Sequence, residues 1–254
     1  TIKQGNYGMT IGFHYLARIL GLVVFLGCAV FATAADEQRE NIALYKPYTM
    51  KPAPNYDLTS DAGDVTQLTD GQYVFGDLQS PMWMSAEAVG WSRWEVCDPV
   101  EVTIDLGESM SIGAVACRVA AGKSGVAFPR LIYILVSKDG HDYYRVAELV
   151  SGTAPEVLTS VDQYAEVKFQ SELATSGRYV RIILAAVPGP FLFMDEIEVR
   201  RGDDEFLSLP YPENKSFTPT HEELRTNGAR LRLKYDAAAI EDLINAGALP
   251  ETSQ

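Results

Sequence analysis

Between residues 100 and 200 apolar positions recur at the spacing of β-strands. The run 100–106 reads Val-Glu-Val-Thr-Ile-Asp-Leu, apolar at every second position, which is the period of a strand with one buried face. Comparable runs follow at 112–119, 131–136, 143–149, 165–169, 178–184 and 193–199, each bounded by Gly, Asp, Pro or Ser. Their lengths and β-branched content predict an all-β domain, an antiparallel sandwich. No helical stripe of similar strength competes with it. Ser137-Lys-Asp-Gly140 between two runs predicts a hairpin turn, with Gly140 supplying the positive φ that other residues adopt only at a cost.

The flanking regions follow other rules. Residues 45–99 are rich in Pro, Gly, Asp and aromatics and poor in strand pattern, and loops of this length in compact domains tend to carry function. After Gly202, Leu209-Pro-Tyr-Pro212 and Thr218-Pro-Thr220 read as an extended linker. Arg230-Leu-Arg-Leu-Lys234 alternates like a strand, and Asp236 is placed to cap a short helix on which Ile240, Leu243 and Ile244 share a face and which stops at Gly247. A tail of this size cannot bury its own apolar face. It either packs on the sandwich or begins a further domain, the second being the favoured reading. The predicted organisation is a leader at 1–34, a sandwich at 38–202, and at 203–254 a linker with the start of a possible attached domain.

The leader is predicted from Arg18 followed by an uncharged apolar run, 19–35, that ends in the small-x-small pattern Ala32-Thr-Ala34. This is the grammar of a secretory signal peptide. A permanent span and a lipoprotein signal at Phe25-Leu-Gly-Cys28 are the lesser alternatives, and all of them lead to export, to a secreted, periplasmic or cell-surface location. Removing the leader takes Lys3 and Arg18 with it and no acid, so the net charge falls from −13 to −15. So acidic a protein lacks the basic footprint that nucleic acid or anionic lipid requires, and membrane insertion of the mature domain is not expected. Neutral sugars remain compatible. Cys97 and Cys117 remain after cleavage, either bridged or separately buried.

An ordered series of short motifs runs through the same region: Asn41-Ile-Ala-Leu-Tyr-Lys-Pro47, Leu68-Thr-Asp-Gly71, Val102-Thr-Ile-Asp-Leu-Gly107, Ser137-Lys-Asp-Gly140, Arg178-Tyr-Val-Arg-Ile182 and Asp195-Glu-Ile-Glu-Val199. In this order and at these spacings they resemble the coagulation-factor type C, or discoidin-like, domain, a jelly-roll sandwich of the galactose-binding-like class. They are similar in particular to bacterial family 32 carbohydrate-binding modules. The resemblance implies non-catalytic binding of a glycan or polysaccharide by an exported module that targets an attached domain. The alternative is a protein-contact or assembly module at the cell surface. It also implies a structural Ca²⁺ held by Asp70, a main-chain carbonyl near Gln67, and Glu196, an oxygen-only donor set of the kind a hard cation takes. The opposing reading is a turn capped by Asp70 and a solvated Glu196. The sequence departs from the family where Pro81 stands two residues before Trp83, at a position that commonly carries a Thr ligand, and where Glu101 replaces a frequent aromatic.

For the sugar site, the candidates are Trp91, Arg93 and Trp94 in Val89-Gly-Trp-Ser-Arg-Trp94, read as a loop. An indole stacks on the C–H face of a sugar ring, and a guanidinium offers fixed donors to its hydroxyl pairs. The competing reading makes Trp91 or Trp94 a plug at the end of the sandwich. Trp83 matches a core position. Tyr56, Tyr73, Lys123 and Phe128 are further loop residues able to line a site. Catalysis finds no support: His141 lies beside a hairpin turn and His221 in the linker, and neither cysteine has a neighbouring histidine.

Overall fold

The computed structural model describes residues 39–74, 87–92, 99–122, 125–153, 165–185, 187, 189–211 and 219–247. The chain divides into two compact units, residues 1–39 and 40–254, and the elements below belong to the second. The leader, Trp83, Arg93, Trp94, Cys97 and Lys123 lie outside the described residues.

Seven strands are described: β1 (Tyr48–Lys51), β2 (Val89–Ser92), β3 (Val100–Ala121), β4 (Leu131–Ser137), β5 (Tyr144–Glu148), β6 (Ala165–Ala185) and β7 (Phe191–Arg201). All pairings are antiparallel, in the order β2-β7-β3-β6-β4-β5, with β1 added to β3. β3 and β6 span 22 and 21 residues, and each serves both layers of the sandwich. The first half of β3 pairs with β1 and with the second half of β6; its second half pairs with β7 and the first half of β6. Runs 100–106 and 112–119 are therefore one bent strand, and so are 165–169 and 178–184. The register irregularity between Asp105 and Met110 marks the bend, where Gly107, Glu108 and Ser109 are exposed. The strands stay continuous because the partner β6 continues alongside, so the ladder turns the corner without breaking.

Between the layers sits one core, with Val102, Ile104, Ile132, Ile134, Val180 and Ile182 from one side and Val115, Val119, Phe169, Met194, Ile197 and Val199 from the other. The first half of β3 alternates buried and half-buried positions, whereas residues 111–121 are buried throughout. A second covering therefore lies on the outer face of that layer, and it comes from the segment before β3 together with Val126 after it. Ala88, Ala120, Val126 and Phe193 form an apolar cluster there, with Tyr56, Val74 and Phe191 packed against it.

The domain closes where it opens. Asn41 Oδ1 accepts from Val199 N at 3.1 Å and from Ala43 N at 3.2 Å, Ile42 N donates to Val199 O at 2.8 Å, and Arg201 N donates to Glu40 O at 2.9 Å. Beyond it, residues 230–234 are not a strand. They lie inside a 25-residue helix, α1 (His221–Asn245). Thr220 and Glu223 form a capping box at its start, Glu223 N to Thr220 Oγ1 at 3.1 Å and Thr220 N to Glu223 Oε2 at 2.8 Å. Arg, Leu and Lys are good helix formers, and three alanines follow at 237–239, so propensity and cap override the short alternation. Leu224 is buried among Leu131, Tyr133, Leu135, Ile183 and Ala185, and Leu231 packs beside it. The start of the tail thus docks on the outer face of β4 and β6.

Candidate functional site

The site is organised by a bulge in β7. Arg118 of β3 faces Glu196, but Val119 faces Met194, which leaves Asp195 as the extra residue. Met194, Ile197 and Val199 enter the core. The bulge therefore turns two consecutive carboxylates, Asp195 and Glu196, together with Glu198 and Arg200, toward the covering segment. That segment is held to them by its backbone: Gly71 N donates to Glu196 Oε2 at 3.1 Å and Val74 N to Asp195 Oδ2 at 2.9 Å. Gly71 has φ +79°, and a Cβ there would lie 2.9 Å from Leu44 Cδ1, so a side chain would meet both strain and contact.

The turn is braced from below as well. Tyr48 OH donates to Asp64 O at 2.5 Å and accepts from Leu68 N at 3.1 Å, while Thr69 Oγ1 donates to Lys46 O at 3.0 Å and Tyr45 N to Thr69 O at 2.7 Å. Burial holds the Tyr48 hydroxyl well above its usual range, against the lowering effect of the Leu68 N–H.

Charge within this layer is paired across three strands. Arg118 bonds Asp195 Oδ2 at 2.7 Å and also Glu166, and its guanidinium lies 4.5 Å from the centre of the Tyr73 ring. Glu198 accepts from Tyr73 OH, from Lys168 at 2.9 Å and from Arg200 at 2.5 Å. Burial alone would raise the Glu198 pKa, but Tyr73, Lys168 and Arg200 outweigh it and hold the carboxyl below its ordinary value. Glu196 is the opposite case. It is 1% exposed and its Oε1 has no hydrogen-bond partner. Burial first, then the neighbouring Asp70, Glu198 and Asp195, push its pKa up to about 9, against the lowering effect of Gly71.

Over this pair of acids opens a cleft of about 350 Å³ lined by Asn41, Leu44, Tyr45, Asp70, Gly71, Tyr73, Glu196, Glu198 and Arg200. Tyr45 and Tyr73 stand at it 76% and 52% exposed. Tyr45 holds φ +58°, a left-handed conformation that costs an aromatic residue on the order of 1–2 kcal/mol. A strained, exposed aromatic beside converging polar groups is a recognisable arrangement for a ligand site.

Measured against the expected site residues, the structure redistributes the roles. Trp91 belongs to strand β2, is 1% exposed, and donates from Nε1 to Pro52 O at 3.1 Å; its ring packs in the core and offers no stacking face. That corrects the sugar-platform reading for Trp91. The cause is its pairing opposite Leu192 on β7, which points it inward. Phe128 is also a core residue, 2% exposed and edge-on to Phe169 at 5.8 Å. Tyr56 is half-buried, edge-on to Phe191 at 5.3 Å and to Phe193 at 5.1 Å. Among the described candidates, Tyr73 alone is exposed at a cleft. Tyr45 and Arg200 were missed, since Tyr45 sits within a motif read as scaffold and Arg200 directly follows another; the signal available was an aromatic at the turn of Asn41-Ile-Ala-Leu-Tyr-Lys-Pro47.

The proposed cation ligands divide differently. Asp70 and Glu196 meet in the cleft lining, and Glu196 is buried, not solvated. Gln67 opens a single 3-10 turn, Gln67–Thr69, that leads into Asp70. No group of three or more His, Cys, Asp or Glu side chains able to hold a metal occurs among the described residues. A cation there would thus need backbone oxygens in addition to the two acids. The donor chemistry fits such an ion: oxygen ligands only, one of them a buried carboxylate oxygen without a partner. Cys117 is a free buried thiol, its pKa raised to about 12 by burial.

These features define a class, an antiparallel β-sandwich whose covering turn is fastened to acidic residues of its last strand. Residues 58–197 match the family model of the F5/8 type C domain. The chain belongs to that family. No curated protein matches it. Among solved structures it is similar to chitosan-binding module 1 of a chitosanase/glucanase from Paenibacillus sp. IK-5, at 19% identity and TM-score 0.38, covering 63% of this chain and 98% of that one. It is also similar to the lectin domain of lectinolysin complexed with Lewis B antigen (22% identity, TM-score 0.40, 65% and 98% covered). A third is a fucose-binding module of Streptococcus pneumoniae (19%, TM-score 0.38, 65% and 96% covered).

Proposed function

We propose that this domain binds a glycan without transforming it, at the cleft between Tyr45 and Tyr73. The observation that carries the reading is the pair of exposed tyrosines over a polar floor of Asp70, Glu198 and Arg200. Tyrosine faces accept the apolar side of a sugar ring, and carboxylate and guanidinium groups accept and donate to its hydroxyls. A non-catalytic role is supported by the state of the acids. Both oxygens of Glu198 are engaged, by Tyr73, Lys168 and Arg200, so it is not available as a base or nucleophile.

The same reading includes a structural calcium ion at Asp70 and Glu196 with carbonyl oxygen from the turn at Gln67, fastening that turn to β7. Export and attachment to a further domain complete the proposal. No helix among the described residues is long and apolar enough to cross a membrane.

Affinity gel electrophoresis against a panel of neutral and amino polysaccharides tests it. Retardation on at least one of them, lost in Tyr45→Ala with Tyr73→Ala while circular dichroism is unchanged, is the expected result. Uniform mobility of the parent protein on every polysaccharide would sink the reading.

A further inference from the structure

Tyr73 is half exposed, yet it is held on several sides. An aromatic side chain with that much exposure ordinarily exchanges rotamers, and ordering it on binding costs affinity. Here the guanidinium carbon of Arg118 lies 4.5 Å from the ring centre, so one face of the ring rests on a cation. The hydroxyl donates to Glu198. The chain just beyond the ring is held through Val74 N, which donates to Asp195 Oδ2 at 2.9 Å. With one face covered by a buried side chain, the exposure of Tyr73 belongs to the other face and the edges, at the cleft it lines.

The support for this pose converges on one atom. Asp195 Oδ2 accepts from Val74 N and also from Arg118 at 2.7 Å, so a single buried carboxylate oxygen sets both the backbone that carries the ring and the guanidinium beneath it. Glu166 holds the guanidinium from the β6 side, and Lys168 and Arg200 hold the Glu198 acceptor. Asp195 can serve here because it is the extra residue of the β7 bulge; in a regular strand Asp195 and Glu196 would point to opposite faces. We infer that Arg118, seated by Asp195, is a positioning residue of the cleft and holds the Tyr73 ring in one pose before any ligand arrives. The inference rests on the glycan reading above and adds to it the buried groups that set the angle of the ring. Lysine cannot take this place, since an ammonium has no plane to lie against the ring and no rigid fork to reach Asp195 and Glu166 together.

Three-bond couplings across χ1 of Tyr73, measured by nuclear magnetic resonance on the full chain without ligand, report one rotamer in the parent. In Arg118→Lys they average over rotamers, while the amide spectrum of the core strands is unchanged. Affinity gel electrophoresis on a polysaccharide that retards the parent gives a dissociation constant about three- to tenfold weaker for Arg118→Lys, the loss expected from ordering one side chain on binding. A role in stability alone would move the melting temperature and leave the couplings as they are. The coupling measurement on the parent needs neither a variant nor a ligand. Averaged couplings there overturn the inference, and so does an Arg118→Lys protein that keeps either the single rotamer or the parent affinity. A parent that reports one rotamer but that no polysaccharide retards overturns the glycan reading instead, and the role of the ring falls with it.

Discussion

The backbone N–H of Gly71 and the carboxylate of Glu196, 125 positions apart, meet at 3.1 Å. Through this bond the turn that precedes the cleft is fixed to the last strand, although the other oxygen of the same carboxylate has no hydrogen-bond partner. Calcium at this point would satisfy that oxygen. Glu196→Gln keeps the shape and removes the charge, so it should abolish calcium-induced thermal stabilisation. Differential scanning calorimetry with and without calcium checks this, and an equal rise in melting temperature in parent and variant would contradict it.

The sign of the pH effect follows from the same group. Glu196 holds its proton to about pH 9 when folded and releases it near the ordinary carboxylate value when unfolded. The folded state therefore binds more protons across that interval. Its contribution is fully present below the unfolded value and is lost as pH rises toward 9. In chelator the melting temperature should fall over this window, and added calcium should flatten the fall, because the ion takes the place of the proton. A metal-free melting temperature that rises between pH 5 and pH 9 in the parent relative to Glu196→Gln would contradict the assignment.

Arg118 is the central cation of the outer layer, between Asp195 and Glu166 and beneath Tyr73. Asp195 is fully buried, so Arg118→Met leaves it without its 2.7 Å partner. The expected loss is about 3–5 kcal/mol in denaturant unfolding, the range for breaking a buried pair from one side. Replacing both, Arg118→Met with Asp195→Leu, should cost less than the single change.

Trp91 and Tyr45 separate stability from binding. Trp91→Ala empties a core site and should cost about 3–5 kcal/mol. Tyr45→Gly relieves a left-handed backbone and should leave the melting temperature unchanged or raised, while glycan retardation falls. Loss of retardation in a Trp91 variant that still melts like the parent would return the sugar site to that tryptophan.

The strand pattern was legible because burial on one face imposes period two, and 100–106 shows it without interruption. Motif residues were legible as turns and strand ends for the same reason that they recur: Asn41, Gly71, Asp105 and Gly140 each fix a backbone conformation or satisfy a backbone donor locally. What the sequence could not convey was side-chain direction. Trp91 resembled a loop aromatic because its strand has only four residues and pairs with β7, about 100 positions later. The bulge at Asp195 was invisible for a related reason: its two-against-one count exists only once β3 and β7 are aligned. The helix at 221–245 had an announcement, the capping box Thr220-x-x-Glu223, which the alternation at 230–234 obscured.

The neighbouring ends of the sandwich have a mechanical consequence. The chain enters the sandwich at Glu40 and ends its last strand at Arg201, side by side and antiparallel, bonded at 2.9 Å, with Asn41 paired to Arg200. Tension applied through these ends would load the bonds in succession, as in a zip, and not together, as in a sheared ladder. Under pull, the pairing of β7 with the first residues of the domain should yield at low force. Asn41 and Ile42 would leave Val199 early in that sequence, uncovering the strand that carries Glu196 and Glu198. A glycan held across Tyr45 and the β7 side chains would then resist the first step of extension, so that occupancy of the cleft can be read out as rupture force.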